Sequence, residues 1–138
     1  MPPIPTQTTA DVPGQGLAVA AESLYVVNLL LLPGAAFLAL WWLHHRHADS
    51  APPLAANHLR QTFRACLWAG VLLVVANVLI IALGGYRTPA TWVVVVLYFT
   101  CCHSALVLFG VLGLARAMAG KLYRFPLVGA PLLPETGS

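Results

Sequence analysis

From Leu24 to Leu43 the chain reads LYVVNLLLLPGAAFLALWWL with no charged residue. A helix rises about 1.5 Å per residue, so a run of this length crosses a hydrocarbon core about 30 Å thick and predicts a first membrane span. Pro33 and Gly34 fall near its middle. A kink is expected there rather than an end, because neighbouring helices in lipid can re-satisfy the carbonyl that a proline frees. Trp41 and Trp42 close the run in the manner of an interfacial aromatic belt. The next segment, His44 to Arg64, is polar, and its Pro52 and Pro53 suit the first turn of a new helix. Leu54, His58, Gln61 and Ala65 then share one helical face, which predicts an interfacial lead-in running directly into a second span, Ala65 to Gly85. Thr88 as a cap and Pro89 in the first turn start a third uncharged run, Ala90 to Ala115. The tail beyond it is too broken by Pro and Gly to be a fourth span.

The expected fold is all-α and integral to the membrane, with three transmembrane helices and an interfacial lead-in to the second. Residues 1–21 are expected to be a disordered extracytoplasmic leader, 22–118 a three-helix transmembrane domain and 119–138 a cytoplasmic interfacial tail. Composition agrees: of 138 residues, 59% are hydrophobic and 8% charged, which leaves no room for a soluble catalytic domain beside three spans. The net charge of +3 does not suggest nucleic acid as a partner, since the basic residues form no stripe with interleaved aromatics. They cluster at the ends of apolar runs instead. Arg46, Arg60, Arg64, Arg116, Lys121 and Arg124 fall on one side of the predicted spans and Arg87 on the other, so the positive-inside rule puts the amino terminus outside and the carboxyl terminus in the cytoplasm. The segment Met1 to Gly16 has neither the basic start of a secretory signal nor the arginines of a transit peptide.

Asn28, Asn77 and His103 are the conspicuous polar residues within the spans, where polar groups are expensive enough to be functional candidates. Their depths roughly agree, which predicts one buried polar cluster. Packing gives a competing account, because Gly70, Asn77 and Gly84 fall on one stripe of the second span, and Thr100, His103, Val107 and Gly110 on one stripe of the third. Cys101, Cys102 and His103 carry donors that suit soft metals, but consecutive helical positions point about 100° apart and cannot close on one ion. The cysteines read as reduced, small apolar residues, and no metal or cofactor is expected. His44, His45, His47 and His58 read as a polar collar at the boundary, with divalent-metal binding as the other reading. Glu22 reads as an acid in a helix's first turn, favoured by the dipole. No acid–base pair, nucleophile elbow, phosphate loop or zinc helix is present in the sequence, so no catalytic residue is expected.

Two segments carry a resemblance. The first, HLRQTFRACLW, contributes His58, Arg60, Gln61 and Phe63. The second, ARAMAGKLYRFPLVG, contributes Gly120, Lys121, Tyr123, Arg124, Phe125 and Pro126. Together they resemble a family of small bacterial membrane proteins related in pattern to the twenty-kilodalton subunit of the chloroplast inner-envelope protein import complex. The resemblance covers roughly residues 55 to 129 and implies a bacterial inner-membrane location. The chloroplast relatives are associated with four spans and protein translocation, whereas three spans are expected here. Read physically, Lys121, Tyr123, Arg124 and Phe125, like Trp41 and Trp42, are interfacial anchors at the headgroup level. The leading expectation is a small accessory or scaffold subunit, with membrane lipid and a larger membrane-protein complex as partners. The alternatives are an oligomeric transport or translocation component lined by Asn28, Asn77 and His103, and a metal- or haem-binding membrane protein.

Overall fold

The structure, a computed structural model, describes residues 12–132, and among them every regular element is helical. Helix α1 spans Gln15–Leu30, α2 Ala35–His47, α3 Pro53–Ala82, α4 Pro89–Leu97 and α5 Ser104–Met118, with a π-helical segment, Tyr98–His103, joining α4 to α5 without a break. Two helical stretches, Pro53–Ala82 and Pro89–Met118, are long and apolar enough to cross a membrane, with 30 residues each. At about 1.5 Å per residue each is about 45 Å long. Helix α1 is apolar but shorter.

The run expected to be the first span is two helices folded back on each other. Leu31 and Leu32 both close onto the Val27 carbonyl, 2.9 Å away in each case. Pro33 has no N–H with which to continue the ladder, and Gly34 sits at φ +87°, a conformation open to glycine but costly for other residues. The Asn28 side chain then accepts the Gly34 N–H at 2.9 Å, bridging the break. A proline kink keeps the chain direction, but proline followed by a left-handed glycine reverses it. Helix α2 therefore runs back beside α1, and His47 ends close to the start of α3 through its bond to the Ala51 N–H.

The hairpin packs on the first part of α3 and the last part of α5. Helices α1 and α3 run parallel: Gly14 lies against Pro52 and Ala55, Glu22 meets His58 and Asn28 meets Cys66. Helices α1 and α5 run antiparallel: Gln15 Nε2 donates to the Met118 carbonyl at 2.6 Å, and Tyr25 lies over Gly110. Apolar packing centres on Ala21, Tyr25, Leu40, Leu59, Ala65, Cys66 and Phe125. Beyond the tip at Leu30–Gly34, α3 and α4 continue as a pair, and the short turn Gly85–Arg87 joins them at the far end. Thr88 holds the N-cap position of α4 with Pro89 in the first turn, as expected, but its side chain makes no cap bond. Its hydroxyl donates to the Leu83 carbonyl at 2.9 Å and so closes the end of α3.

Two expectations are corrected by this arrangement. The start of α1 lies beside Met118 and Gly120, so the described amino-terminal residues share one end of the molecule with the carboxyl-terminal tail, not opposite ends. The expected leader, 1–21, is helical from Gln15 onward; its first eleven residues lie outside the described ones, as do 133–138 of the expected tail. Arg46, Arg60, Arg64, Arg116, Lys121 and Arg124 all fall at the shared end, and Arg87 at the other.

Candidate functional site

The chemistry of the shared end is organised by one face of α3. Leu54, His58, Gln61 and Ala65 recur at helical spacing, as expected, and all four are buried. They face α1 and the tail. Asn57 Oδ1 accepts the Tyr123 N–H at 3.1 Å, Gln61 Oε1 accepts the Phe125 N–H at 3.3 Å, and Gln61 Nε2 donates to the Ala130 carbonyl at 2.6 Å. An extended tail offers backbone donors and acceptors that no helix satisfies, and side-chain amides one turn apart are suited to hold it. Phe125 is 1% exposed and meets the Tyr25 ring edge-on, with centroids 5.1 Å apart. It is a core residue and not the interfacial anchor expected. Lys121 and Arg124 remain exposed, as do Trp41 and Trp42, with the Arg46 guanidinium 5.3 Å from the Trp42 ring centre. The Tyr123 hydroxyl is buried without a partner among the described residues, and burial, then the nearby Glu22, raise its pKa above the usual value.

At the centre of this latch lies a fully buried pair. His58 Nδ1 is 2.6 Å from Glu22 Oε1, and both side chains are 0% exposed. His58 Nε2 is 2.9 Å from the Lys121 carbonyl, which can only accept, so that nitrogen carries a hydrogen. The Nδ1···Oε1 contact must then hold one further proton, either as a carboxylic acid donating to neutral imidazole or as imidazolium donating to carboxylate. In both cases the pair is neutral overall, which limits the cost of burying it. Glu22 Oε2 lies against Gly113 with no hydrogen-bond partner among the described residues. Glu22 lies level with His58, on the basic side of the uncharged stretch of α3 that starts at Ala65. Burial raises its carboxyl above the usual value, and the His58 contact offsets part of that rise. Glu22 is thus a mid-helix acid, not the first-turn residue expected.

A signal for the pair was present. Glu22 shares a helical face with Ala18, Ala21 and Tyr25, all buried, and His58 shares one with three other buried residues. An acid and a histidine, each on the packing face of its own helix, need partners. His44 and Phe63 stack with centroids 4.6 Å apart, and Phe63 also stacks on Phe37. Burial, then neighbouring His45 and Arg60, lower the His44 pKa. Arg60 reaches the Pro131 carbonyl at 3.4 Å. The two segments quoted for the resemblance therefore meet in space.

The expected cluster of Asn28, Asn77 and His103 does not assemble. Asn77 is exposed on α3 and donates to its own Leu73 carbonyl at 2.8 Å. Asn28 and His103 are half-buried and line one cleft of about 520 Å³, between the hairpin tip, α3 and the π segment. Neither expected packing stripe survives intact. Gly70 and Gly84 have little or nothing against them but the chain's own turn, and the π segment shifts the helical register so that Gly110 is buried while Thr100 is exposed. Among the described residues no three of His, Cys, Asp and Glu are grouped as a metal site requires. A comparison with protein-family models, curated proteins and solved structures found no match to this chain.

Proposed function

We propose that the chain is a small accessory or scaffold subunit of the bacterial inner membrane, crossing it twice and packing against a larger membrane complex. In this reading Ala65–Ala82 and the uncharged part of Pro89–Met118 are the crossings, and the α1–α2 hairpin is re-entrant, dipping in and returning. The basic end lies in the cytoplasm by the positive-inside rule. At that end Asn57, His58 and Gln61 are committed to holding the tail, which favours a structural use for them.

The observation that carries the reading is the bare helix pair. Beyond the hairpin tip, Val71, Val74, Val75 and Val78 of α3 and Trp92, Val93 and Val96 of α4 are exposed. Over these outer turns, about 18 Å, each long helix has only the other to pack on. Association in lipid depends on packing rather than on expelling water, and two helices satisfy only part of each other's surface. A conduit reading loses support because Asn77 stands apart from Asn28 and His103. Photo-crosslinkers at Val75 and Val78, activated in native membranes, test the proposal. A single discrete protein adduct shared by both positions is expected, and lipid adducts alone at both positions would remove the scaffold role.

A further inference from the structure

The cleft at the hairpin tip is used neither by the latch nor by the scaffold reading. Its walls come from the hairpin tip, α3 and the π segment, and the first and last of these have unusual local geometry. The tip turns on Pro33 and Gly34, with Asn28 bridging the break. The facing helix is π-wound from Tyr98 to His103, and the Ser104 hydroxyl donates to the Phe99 carbonyl at 2.8 Å, five residues back. A π turn costs helix stability and is found disproportionately at functional sites. Here it brings Tyr98, Phe99 and His103 to the cleft together. Pro33, Gly70 and Phe99 are exposed at the rim, so the cleft opens onto the apolar flank of the molecule.

The chemistry of the lining narrows what fits. No Asp, Glu, Lys or Arg is among the described residues that line it, so a phosphate or carboxylate head would be buried without a countercharge. The Asn28, Tyr98 and His103 side chains on its lining can each donate a hydrogen bond. The Asn28 amide nitrogen has only a weak contact, 3.9 Å to the Cys66 sulfur, because its oxygen is committed to Gly34. The Tyr98 hydroxyl and the His103 imidazole add two more donors. Phe37, Tyr98 and Phe99 supply flat apolar faces. At about 520 Å³ the space is of the size that holds a small organic ligand.

We infer that this cleft is an intramembrane binding site for a neutral, flat, carbonyl-bearing head group on an apolar tail, a lipid-soluble quinone. Its carbonyl oxygens accept from Asn28, Tyr98 and His103, its ring lies among the aromatic side chains, and its tail leaves through the open flank into lipid. The ester carbonyl of an ordinary glycerolipid shares the acceptor chemistry but not the flat ring.

The test uses the full chain in phosphatidylcholine nanodiscs with decylubiquinone as probe, read as saturable binding above empty nanodiscs. One equivalent per chain is expected. Gly70→Leu fills the cleft, since nothing lies within 4 Å of a Cβ at Gly70, and it also favours the helix; it should abolish saturable binding. Tyr98→Phe removes one donor and should weaken binding by up to about tenfold. Should Gly70→Leu misfold by circular dichroism, Tyr98→Phe and His103→Leu decide: weaker binding supports the site and unchanged binding overturns it. Non-saturable uptake, or equal uptake by the wild type and a folded Gly70→Leu, overturns it. So does a co-purifying glycerolipid that Gly70→Leu excludes and decylubiquinone does not displace, or a haem absorption band in the isolated protein.

Discussion

Replacing His58 with Leu removes the centre of the latch while leaving its volume largely filled. Glu22 would then have neither oxygen bonded in a site that is 0% exposed, and the Lys121 carbonyl would lose its donor. Breaking one side of a buried pair costs about 3–5 kcal/mol. The tail would still be held by Asn57, Gln61 and the packing of Phe125, so the loss weakens docking rather than unfolding the helices. At the lower figure the undocked fraction rises a little over a hundredfold. Limited trypsin digestion in mild detergent reads this directly, since Lys121 and Arg124 lie on the docked segment. Cleavage after them should accelerate by about two orders of magnitude relative to wild type. The double variant Glu22→Leu, His58→Leu leaves only the Lys121 carbonyl unpaired, a cost of about 1–3 kcal/mol. It should therefore be cleaved more slowly than the single variant. Equal cleavage of wild type and His58→Leu, or a double variant worse than either single one, would refute the reasoning.

Raising the pH should loosen the same latch. Folding raises the Glu22 value, so the stability its proton contributes is fully present below the ordinary carboxyl value and is lost as pH climbs through the raised one. Hydrogen-exchange protection of the Tyr123 and Phe125 amides, corrected for intrinsic rates, should fall with rising pH, and Glu22→Gln should flatten that dependence. Gly110→Ala puts a methyl group 2.6 Å from Tyr25 Cε1. Overpacking of this kind costs about 1–3 kcal/mol and should lower the denaturant midpoint in detergent. Phe125→Ala empties a fully buried ring site and should destabilise the docked tail by about 3–5 kcal/mol, seen as faster trypsin cleavage after Arg124.

Much of the helical content was legible because uncharged runs bounded by prolines and basic residues leave few alternatives. The joined lead-in and second span appear as one helix, Pro53–Ala82, and Pro89 stands in the first turn of the next helix as expected. The reversal at Pro33 and Gly34 was not legible, because hydropathy measures the length of a run and not its direction. A run of twenty apolar residues satisfies the span criterion whether it continues or doubles back. The place of Glu22 differs from expectation for a related reason. With the first span placed at Leu24, Glu22 looked like its leading edge, whereas a helix starting at Gln15 puts it mid-face opposite His58. Asn77 and His103 were grouped by depth along straight helices, but grouping also needs rotation. The π segment alters that rotation on one helix, and Asn77 points away on the other. Lys121, Arg124, Trp41 and Trp42 lie exposed where interfacial residues were expected, while Phe125 was claimed by the core because the tail folds back over α3.

The account rests on the re-entrant hairpin, which puts Val12, the α2–α3 loop and the tail on one membrane face. Single cysteines at Val12, Asp49 and Tyr86, in a chain whose own cysteines Cys66, Cys101 and Cys102 are replaced by Ala, can be labelled with a membrane-impermeant maleimide from each side of oriented vesicles. Labelling of Val12 and Asp49 from one face and of Tyr86 from the other is the predicted result. Labelling of Val12 from the same face as Tyr86 would mean that the first apolar run crosses the bilayer, and would contradict the account.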